Sequence, residues 1–217
     1  MFNNIKGAIF DMDGTIIDSM WVWSRIDRDY LKKRGTEVPE DLYDNIGHLS
    51  FNETAEYFKD RFNISDSVEN IQEEWNRMAF DEYSKNVKLK PGVKKFLNIL
   101  KAKNIKISVA SSNSLTLIEA ALKSNDVYNL FDSITTTDEV KRNKNFPDVY
   151  LLAAKKLGLA PYECVVFEDI LPAIIGAKAS GAKVIGVHDF YSKNQMKDII
   201  EKADSYIFEY NELLEMM

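Results

Sequence analysis

The sequence has one cysteine and no long apolar run, and each shortage excludes a class of protein. The single cysteine, Cys164, cannot form an internal disulfide and suits a reducing compartment. No apolar stretch approaches the ~18 residues that a membrane span requires, and acids break the short apolar run at the N-terminus too soon for a signal peptide. We therefore expect a cytoplasmic protein with no membrane partner.

An excess of positive charge is absent as well. The chain has 28 lysines and arginines against 34 aspartates and glutamates, a net charge of -6, and the basic residues form no cluster. Nucleic-acid binding depends on neutralising phosphates with lysine and arginine, so we expect no nucleic-acid partner. A small anionic ligand is still compatible, because one site can be positive while the whole chain is acidic.

Short apolar runs alternate along the chain with helical patterns. The helical patterns cover 91–102, 115–124, 147–157 and 173–180, and the apolar runs predict buried strands at 7–10, 105–110, 164–167, 183–187 and 205–208. Alternation of this kind predicts the α/β class, with a parallel sheet covered by helices on both faces.

Residues 19–86 break this alternation, because they hold helical patterns at 21–33, 51–62 and 67–85 and no convincing strand. Ser50 followed by Glu53 matches a capping box, which predicts a helix start at that point. We therefore expect a helical cap over 16–86, inserted into a core formed by 1–15 and 87–217.

Two acids, Asp11 and Asp13, follow the first predicted strand in the stretch AIFDMDGTIIDS. Ligands gather beyond the carboxyl ends of parallel strands, and residues two apart in an extended chain point the same way, so both acids can face one site. Taken alone, the motif is better explained as a solvated acidic turn. An EF-hand calcium loop does not fit, because its glycine belongs at the sixth position and Gly14 stands at the fourth.

Polar and charged residues also stand at the ends of later strands and before the helical patterns: Ser111, Ser112 and Asn113, then Lys144, then Glu168 and Asp169. Each group alone has an ordinary explanation as a helix cap, a surface charge or a helix-dipole partner. Hydroxyls at a helix N-terminus also favour a phosphate. The joint order of the groups is better explained by one site at the carboxyl edge of the sheet.

In these motifs the sequence resembles the haloacid dehalogenase-like hydrolase superfamily, in the branch with β-phosphoglucomutase-like and phosphoglycolate-phosphatase-like members. Residues 11–15 match the first family motif, D-x-D-G-T, and the later motifs are matched by Ser111, by Lys144 and by the pair Glu168 and Asp169. The resemblance covers almost the whole chain. It implies a Rossmann-like core, a helical cap between the first two motifs, and Mg²⁺-dependent phosphoryl transfer through an aspartyl-phosphate.

The resemblance also implies a role for each motif residue. Asp11 would be the nucleophile, and Asp13 the general acid that protonates the leaving oxygen and then the base that activates water. A divalent cation and Lys144 would offset the repulsion between an attacking carboxylate and a phosphate ester. The Mg²⁺ ligands would be Asp11, the backbone carbonyl of Asp13, Glu168 and Asp169. The phosphoryl oxygens would contact Thr15, Ser111, Ser112, Asn113 and Lys144.

The chain departs from the family pattern at two motifs. Asn143 and Asn145 replace the usual Gly and Pro beside Lys144, and Ile170 replaces the Ser that commonly follows the fourth motif. Neither change removes a charged catalytic group, so the implied chemistry is unaffected.

The cap departs further. Trp23 stands where β-phosphoglucomutase-like members carry a histidine, and no sugar-phosphate-binding arginine follows Gly47. Trp23 and His48 are candidate substrate contacts of the cap. Each also has a simpler explanation, which is core packing for Trp23 and an exposed loop position without a role for His48.

We therefore expect a monomeric, Mg²⁺-dependent phosphatase that acts on a small phosphorylated metabolite, such as a sugar phosphate. A sugar-phosphate mutase is the alternative within the same chemistry, and Trp23 and the missing arginine count against it. A non-catalytic phosphate-binding protein is the alternative outside it. Every motif position that carries a charged catalytic residue in the family has that residue in this chain, so the sequence gives no reason to expect an inactive protein.

Overall fold

A parallel sheet forms the centre of the computed structural model, which describes residues 4–47 and 49–214. Six strands of the described residues make up this sheet, in the order β5-β4-β1-β6-β7-β8, and every neighbouring pair is parallel. These strands are β1 Gly7–Phe10, β4 Lys106–Ser111, β5 Ser133–Thr136, β6 Cys164–Glu168, β7 Lys183–Val187 and β8 Ser205–Ile207. The α/β class predicted from the sequence is confirmed.

Helices follow most of the strands and supply the cover of the sheet. In chain order they are α1 Met20–Lys32, α2 Leu42–Ile46, α3 Phe51–Arg61, α4 Val68–Lys85, α5 Val93–Ala102, α6 Leu115–Ser124, α7 Thr137–Val140, α8 Asp148–Leu157, α9 Leu171–Ala179, α10 Met196–Lys202 and α11 Asn211–Leu214. In the described part of the chain, none of them has both the length and the apolar content that a membrane span requires.

Helices α1 to α4 follow one another in the chain after β1 and before β4, and we call them the helical insertion. A short antiparallel pair, β2 Ile17–Asp18 and β3 Lys88–Leu89, joins the two ends of the insertion. The predicted capping box at Ser50 is confirmed, since its backbone N–H donates to Glu53 at 2.7 Å and its hydroxyl accepts from the Glu53 N–H at 3.2 Å. Treating the insertion as a separate domain over 16–86 stays a prediction.

Strand β1 lies between β4 and β6, which decides where the chemistry-bearing residues meet. Phe10, the last residue of β1, is level with Val109 on one side and with Phe167 on the other. The rings of Phe10 and Phe167 are fully buried and stack 4.5 Å apart, which anchors the two strand ends against each other. The residues that follow these strands therefore emerge side by side at one edge of the sheet.

Candidate active site

Three carboxylates cluster at the carboxyl edge of the sheet. Asp11 follows β1 directly, Glu168 ends β6, and Asp169 is the next residue. The Asp11 backbone N–H donates to the carbonyl of Phe167 at 3.0 Å, which extends the ladder between the two strands by one residue and fixes the turn. Each of the three acids offers an oxygen within 4.8 Å of the others, and all three are buried.

Lys144 lies within this cluster and neutralises part of its charge. Its ammonium group donates to Asp11 and, at 2.8 Å, to Glu168, while the Tyr150 hydroxyl donates to the same Glu168 oxygen at 2.7 Å. Burial alone would lower the pKa of Lys144, but the charges of Asp11 and Glu168 outweigh it and raise that pKa above its usual value. Lys144 is therefore a buried cation beside two carboxylates.

Two glycines allow this close approach. A Cβ at Gly176 on α9 would lie 2.0 Å from the backbone oxygen of Lys144, so only glycine lets the lysine segment pack on that helix. Gly14 has φ +78°, and a Cβ there would lie 2.5 Å from the Asp169 carboxylate. Glycine at this turn both permits the left-handed conformation and leaves room for the third acid.

Asp13 has a separate set of partners. Its carboxylate accepts from the Ser19 hydroxyl at 2.6 Å, from the Asn113 amide at 2.9 Å, and from the hydroxyl of Tyr83 on α4. Burial and the nearby charge of Asp11 raise the pKa of Asp13 above its usual value, although these three hydrogen bonds oppose the rise. An acid that holds its proton more tightly than usual suits proton donation to a leaving group.

Tyr83 connects the helical insertion to Asp13, in the turn after β1. Besides Asp13, its hydroxyl accepts from the Asn113 amide at 3.2 Å. Burial, followed by the charge of Asp13, raises the pKa of Tyr83 well above its usual value, so the hydroxyl keeps its proton and remains a donor. Asp13 is thus bound by one donor from α4 and one from the segment after β4.

The predicted phosphate-contacting residues divide into two groups. Ser111, Ser112 and Asn113 line the pocket in front of the acids, and the Asn113 backbone N–H donates to the Ser111 hydroxyl at 3.0 Å. Thr15 does not line the pocket: its side chain is fully buried, and its hydroxyl donates to Asp169 at 3.1 Å. In this structure Thr15 therefore contacts a predicted metal ligand, and its contact with phosphate stays a prediction.

One pocket of about 270 Å³ joins the acids to the helical insertion. Trp23 lines this pocket, and its ring makes edge-on contacts with Phe51 at 6.1 Å and with Tyr83 at 6.0 Å. Its position fits both the packing role and the substrate role considered for it. His48, the other predicted cap contact, lies outside the described residues.

The acids fit a divalent cation on two grounds. They form a set of closely spaced oxygen donors, which Mg²⁺ and similar hard cations prefer. In addition, Glu168 Oε2 is buried and has no hydrogen-bond partner among the described residues, an unfavourable state that a cation would relieve. The Asp13 side chain is not part of this set, and the contribution of its backbone carbonyl stays a prediction.

Sequence reasoning missed Tyr83 and Tyr150, which donate hydrogen bonds to Asp13 and Glu168 respectively. Tyr83 belongs to a stripe of buried residues spaced four apart on α4, with Trp75 and Ala79, and that spacing does predict burial. A pattern of burial does not reveal which atom the end of a side chain contacts. The phenol contacts therefore become visible only in the structure.

The chain is similar to known proteins in sequence and in fold. The model of the family described as haloacid dehalogenase-like hydrolase matches residues 8–187. The chain is 28% identical to phosphorylated carbohydrates phosphatase of Thermotoga maritima, with 98% of each chain covered. It is 30% identical to hexitol phosphatase B of Escherichia coli, with 84% of this chain and 83% of that protein covered. Among solved structures, CbbY from Rhodobacter sphaeroides in complex with phosphate has a TM-score of 0.86 at 22% identity over 96% of each chain, a likeness of fold.

Proposed function

We propose a function from one premise: the chain belongs to the haloacid dehalogenase-like hydrolase family. It is a phosphatase that hydrolyses the phosphate ester of a small phosphorylated metabolite, through an aspartyl-phosphate and with Mg²⁺ as the metal. The observation that supports this best is the buried set of Asp11, Glu168 and Asp169 beside the Lys144 cation.

In the proposed reaction, an oxygen of Asp11 bonds to phosphorus while the bond from phosphorus to the leaving oxygen breaks. Asp13 gives its proton to that leaving oxygen, so the product leaves as a neutral alcohol. Asp13 then accepts a proton from a water molecule whose oxygen attacks the phosphorus, which releases inorganic phosphate and restores Asp11. Lys144 offsets negative charge on the phosphoryl oxygens throughout.

The bound cation, held by Asp11, Glu168, Asp169 and the backbone carbonyl of Asp13, would supply further positive charge to the phosphoryl group. The remaining contacts to the phosphoryl oxygens would come from Ser111, Ser112 and Asn113. Thr15 would hold Asp169 in place through the hydrogen bond described above.

The names of the relatives support a carbohydrate phosphate as the substrate class. Both the Thermotoga and the Escherichia proteins are named for phosphatase activity, on phosphorylated carbohydrates and on hexitols respectively. We extend that substrate class to this chain as a proposal, together with action as a monomer in the cytoplasm on a small molecule. The free, buried thiol of Cys164 and the net charge of -6 are in keeping with this setting.

A mutase is supported less well. It would have to hold an intermediate with two phosphate groups, and the second phosphate needs cationic partners. Among the described residues that line the pocket, Lys144 is the sole lysine, arginine or histidine, and it is already paired with the acids.

The test is hydrolysis of para-nitrophenyl phosphate by the purified protein, with Asp11→Asn as the control for contaminating phosphatase. We expect turnover with Mg²⁺, its loss in EDTA, and its return when Mg²⁺ is added in excess. Undiminished turnover in EDTA would contradict the metal requirement. A wild-type rate equal to that of Asp11→Asn would contradict the phosphatase itself.

A further inference from the structure

The wall of the pocket away from the catalytic acids is built on one face of α1. Met20, Trp23, Ser24 and Asp27 all line the pocket, and their spacing of three and four residues places them on the same side of the helix. At a rise of 1.5 Å per residue, this wall extends for about 10 Å along the helix axis. A leaving group that contacts the whole wall, from Met20 to Asp27, must therefore be extended.

Asp27 is unusual in this wall because it is an acid without a cationic partner. Its side chain is 5% exposed, and no lysine, arginine or histidine of the described residues forms an ion pair with it. A hydrogen bond from the hydroxyl of Tyr43 on α2 lowers the pKa of Asp27, and it is the one side-chain hydrogen bond with an effect on that pKa. Ser24 in turn contacts Tyr43. A carboxylate has acceptor sites for about four hydrogen bonds, so Asp27 has the capacity to accept from donors besides Tyr43.

The environment of Asp27 makes this arrangement unfavourable for the protein alone. Burial raises the pKa of Asp27 to about 7, since the ionised form loses its hydration without gaining a cation. Asparagine would fill the same space without a charge. Retaining an acid at this point of the pocket wall is explained if a bound ligand supplies the missing hydrogen-bond donors.

We propose that Asp27, together with the Tyr43 and Ser24 hydroxyls, binds a hydroxyl group of the leaving alcohol and excludes a second phosphate group. The proposal rests on the phosphatase function above and makes it more specific, because it selects extended polyol monophosphates. The ring of Trp23 on the same helix face supplies an apolar surface for the carbon chain between the ester and that hydroxyl.

Two features separate this assignment from an anion site. A second phosphate near Asp27 would meet a like charge, and the described pocket residues offer it no free cation. The other residues of the insertion that line the pocket are uncharged, and they are apolar or carry hydroxyls, among them Phe51, Leu49 and Thr54. The Ser24 hydroxyl donates to the Met20 carbonyl at 3.3 Å and Tyr43 bonds to Asp27, so the hydroxyl groups of a polyol can donate both to the carboxylate and to the oxygen of Ser24 or Tyr43.

The experiment compares Asp27→Asn with wild type on two substrates, sorbitol 6-phosphate and para-nitrophenyl phosphate. The aryl phosphate has no hydroxyl on its leaving group, so it reports the catalytic acids alone. We expect the ratio of kcat/KM for sorbitol 6-phosphate to kcat/KM for the aryl phosphate to fall about tenfold, because a hydrogen bond to a charged acceptor is lost. Asp29→Asn, the same change at an exposed position of α1, should leave the ratio as in wild type.

Further substrates and a second variant complete the design. Fructose 1,6-bisphosphate should be a poorer substrate than sorbitol 6-phosphate for wild type, and the difference should shrink in Asp27→Asn. Tyr43→Phe, which removes only a hydroxyl from a partly exposed residue, should lower the same ratio by a smaller factor and keeps the test open if Asp27→Asn does not fold.

Several outcomes would overturn the inference while leaving the phosphatase intact. An equal loss on both substrates in Asp27→Asn would make Asp27 a structural residue. A wild-type preference for the bisphosphate, or for phosphoethanolamine, over sorbitol 6-phosphate would assign the wall to an anion or to an amine. If the wild-type protein did not hydrolyse the aryl phosphate at all, the result would instead contradict the phosphatase function on which the inference rests.

Discussion

The two ends of the pocket treat negative charge in opposite ways. At the sheet end, the acids Asp11 and Glu168 share the Lys144 cation, and Tyr150 adds a further hydrogen bond to Glu168. At the helical end, Asp27 is buried among aromatic residues without a cation. The first arrangement includes a cation of the protein, whereas the second includes none and, in our proposal, is completed by a ligand. Under our two proposals, the reaction and the selectivity depend on different charges, so they should be separable by mutation.

The largest expected effect on turnover comes from replacing the acids at the sheet end. Asp11→Asn should abolish turnover of every phosphate ester, since an amide cannot replace the attacking carboxylate. Asp13→Asn should leave a slow reaction, because the proposed nucleophile remains while proton transfer is lost. Rates with para-nitrophenyl phosphate and sorbitol 6-phosphate would measure both variants. Near-normal turnover by Asp11→Asn would rule out the covalent mechanism, and a substrate-dependent loss would show that the two ends are not separable.

A smaller effect is expected from the cation at the same end. Lys144→Met keeps most of the side-chain volume and removes the charge that offsets the phosphoryl group, so kcat/KM should fall at least about tenfold, or about 1.4 kcal/mol, on both substrates. Lys155→Met changes an exposed lysine of α8 and serves as the matched control. Kinetics unchanged from wild type would make Lys144 a structural partner of the acids only.

Much of the sheet end could be predicted because its acids stand next to strands. Apolar runs locate β1, β4 and β6, and the residues after parallel strands must meet at one edge. Strand β5 was not predicted, because Ser133–Thr136 contains one isoleucine and no apolar run, and it forms a strand through its pairing with β4. Helix α2, Leu42–Ile46, was also missed, since five residues are too few to show a period.

The helical end could not be predicted in the same way. Asp27 lies on a helix whose apolar residues indicate one buried face, and an acid between two arginines in the sequence is ordinarily a solvated residue. Its burial depends on tertiary packing, including the contact with Tyr43 on α2, and short sequence patterns carry no information on that packing. The contact between Tyr83 and Asp13 is of the same kind, since 70 residues separate the two partners.

The smallest expected effect concerns the helical end, where replacing Asp27 should change the thermal stability of the protein. Because burial raises the pKa of Asp27 from 3.8 to about 7, ionisation of this group favours the unfolded chain. That penalty is absent below pH ~4, grows between pH ~4 and ~7, and is complete above the folded pKa, where it amounts to at most about 4 kcal/mol. Asp27→Asn should therefore raise Tm at pH 8 by at least about 3 °C and raise it less at pH 5.

Thermal unfolding without ligand, with Asp29→Asn as the control, measures the effect. A Tm that falls at pH 8, or changes equally at both pH values, would mean that Asp27 is already satisfied within the protein, and the contrast between the two ends would disappear.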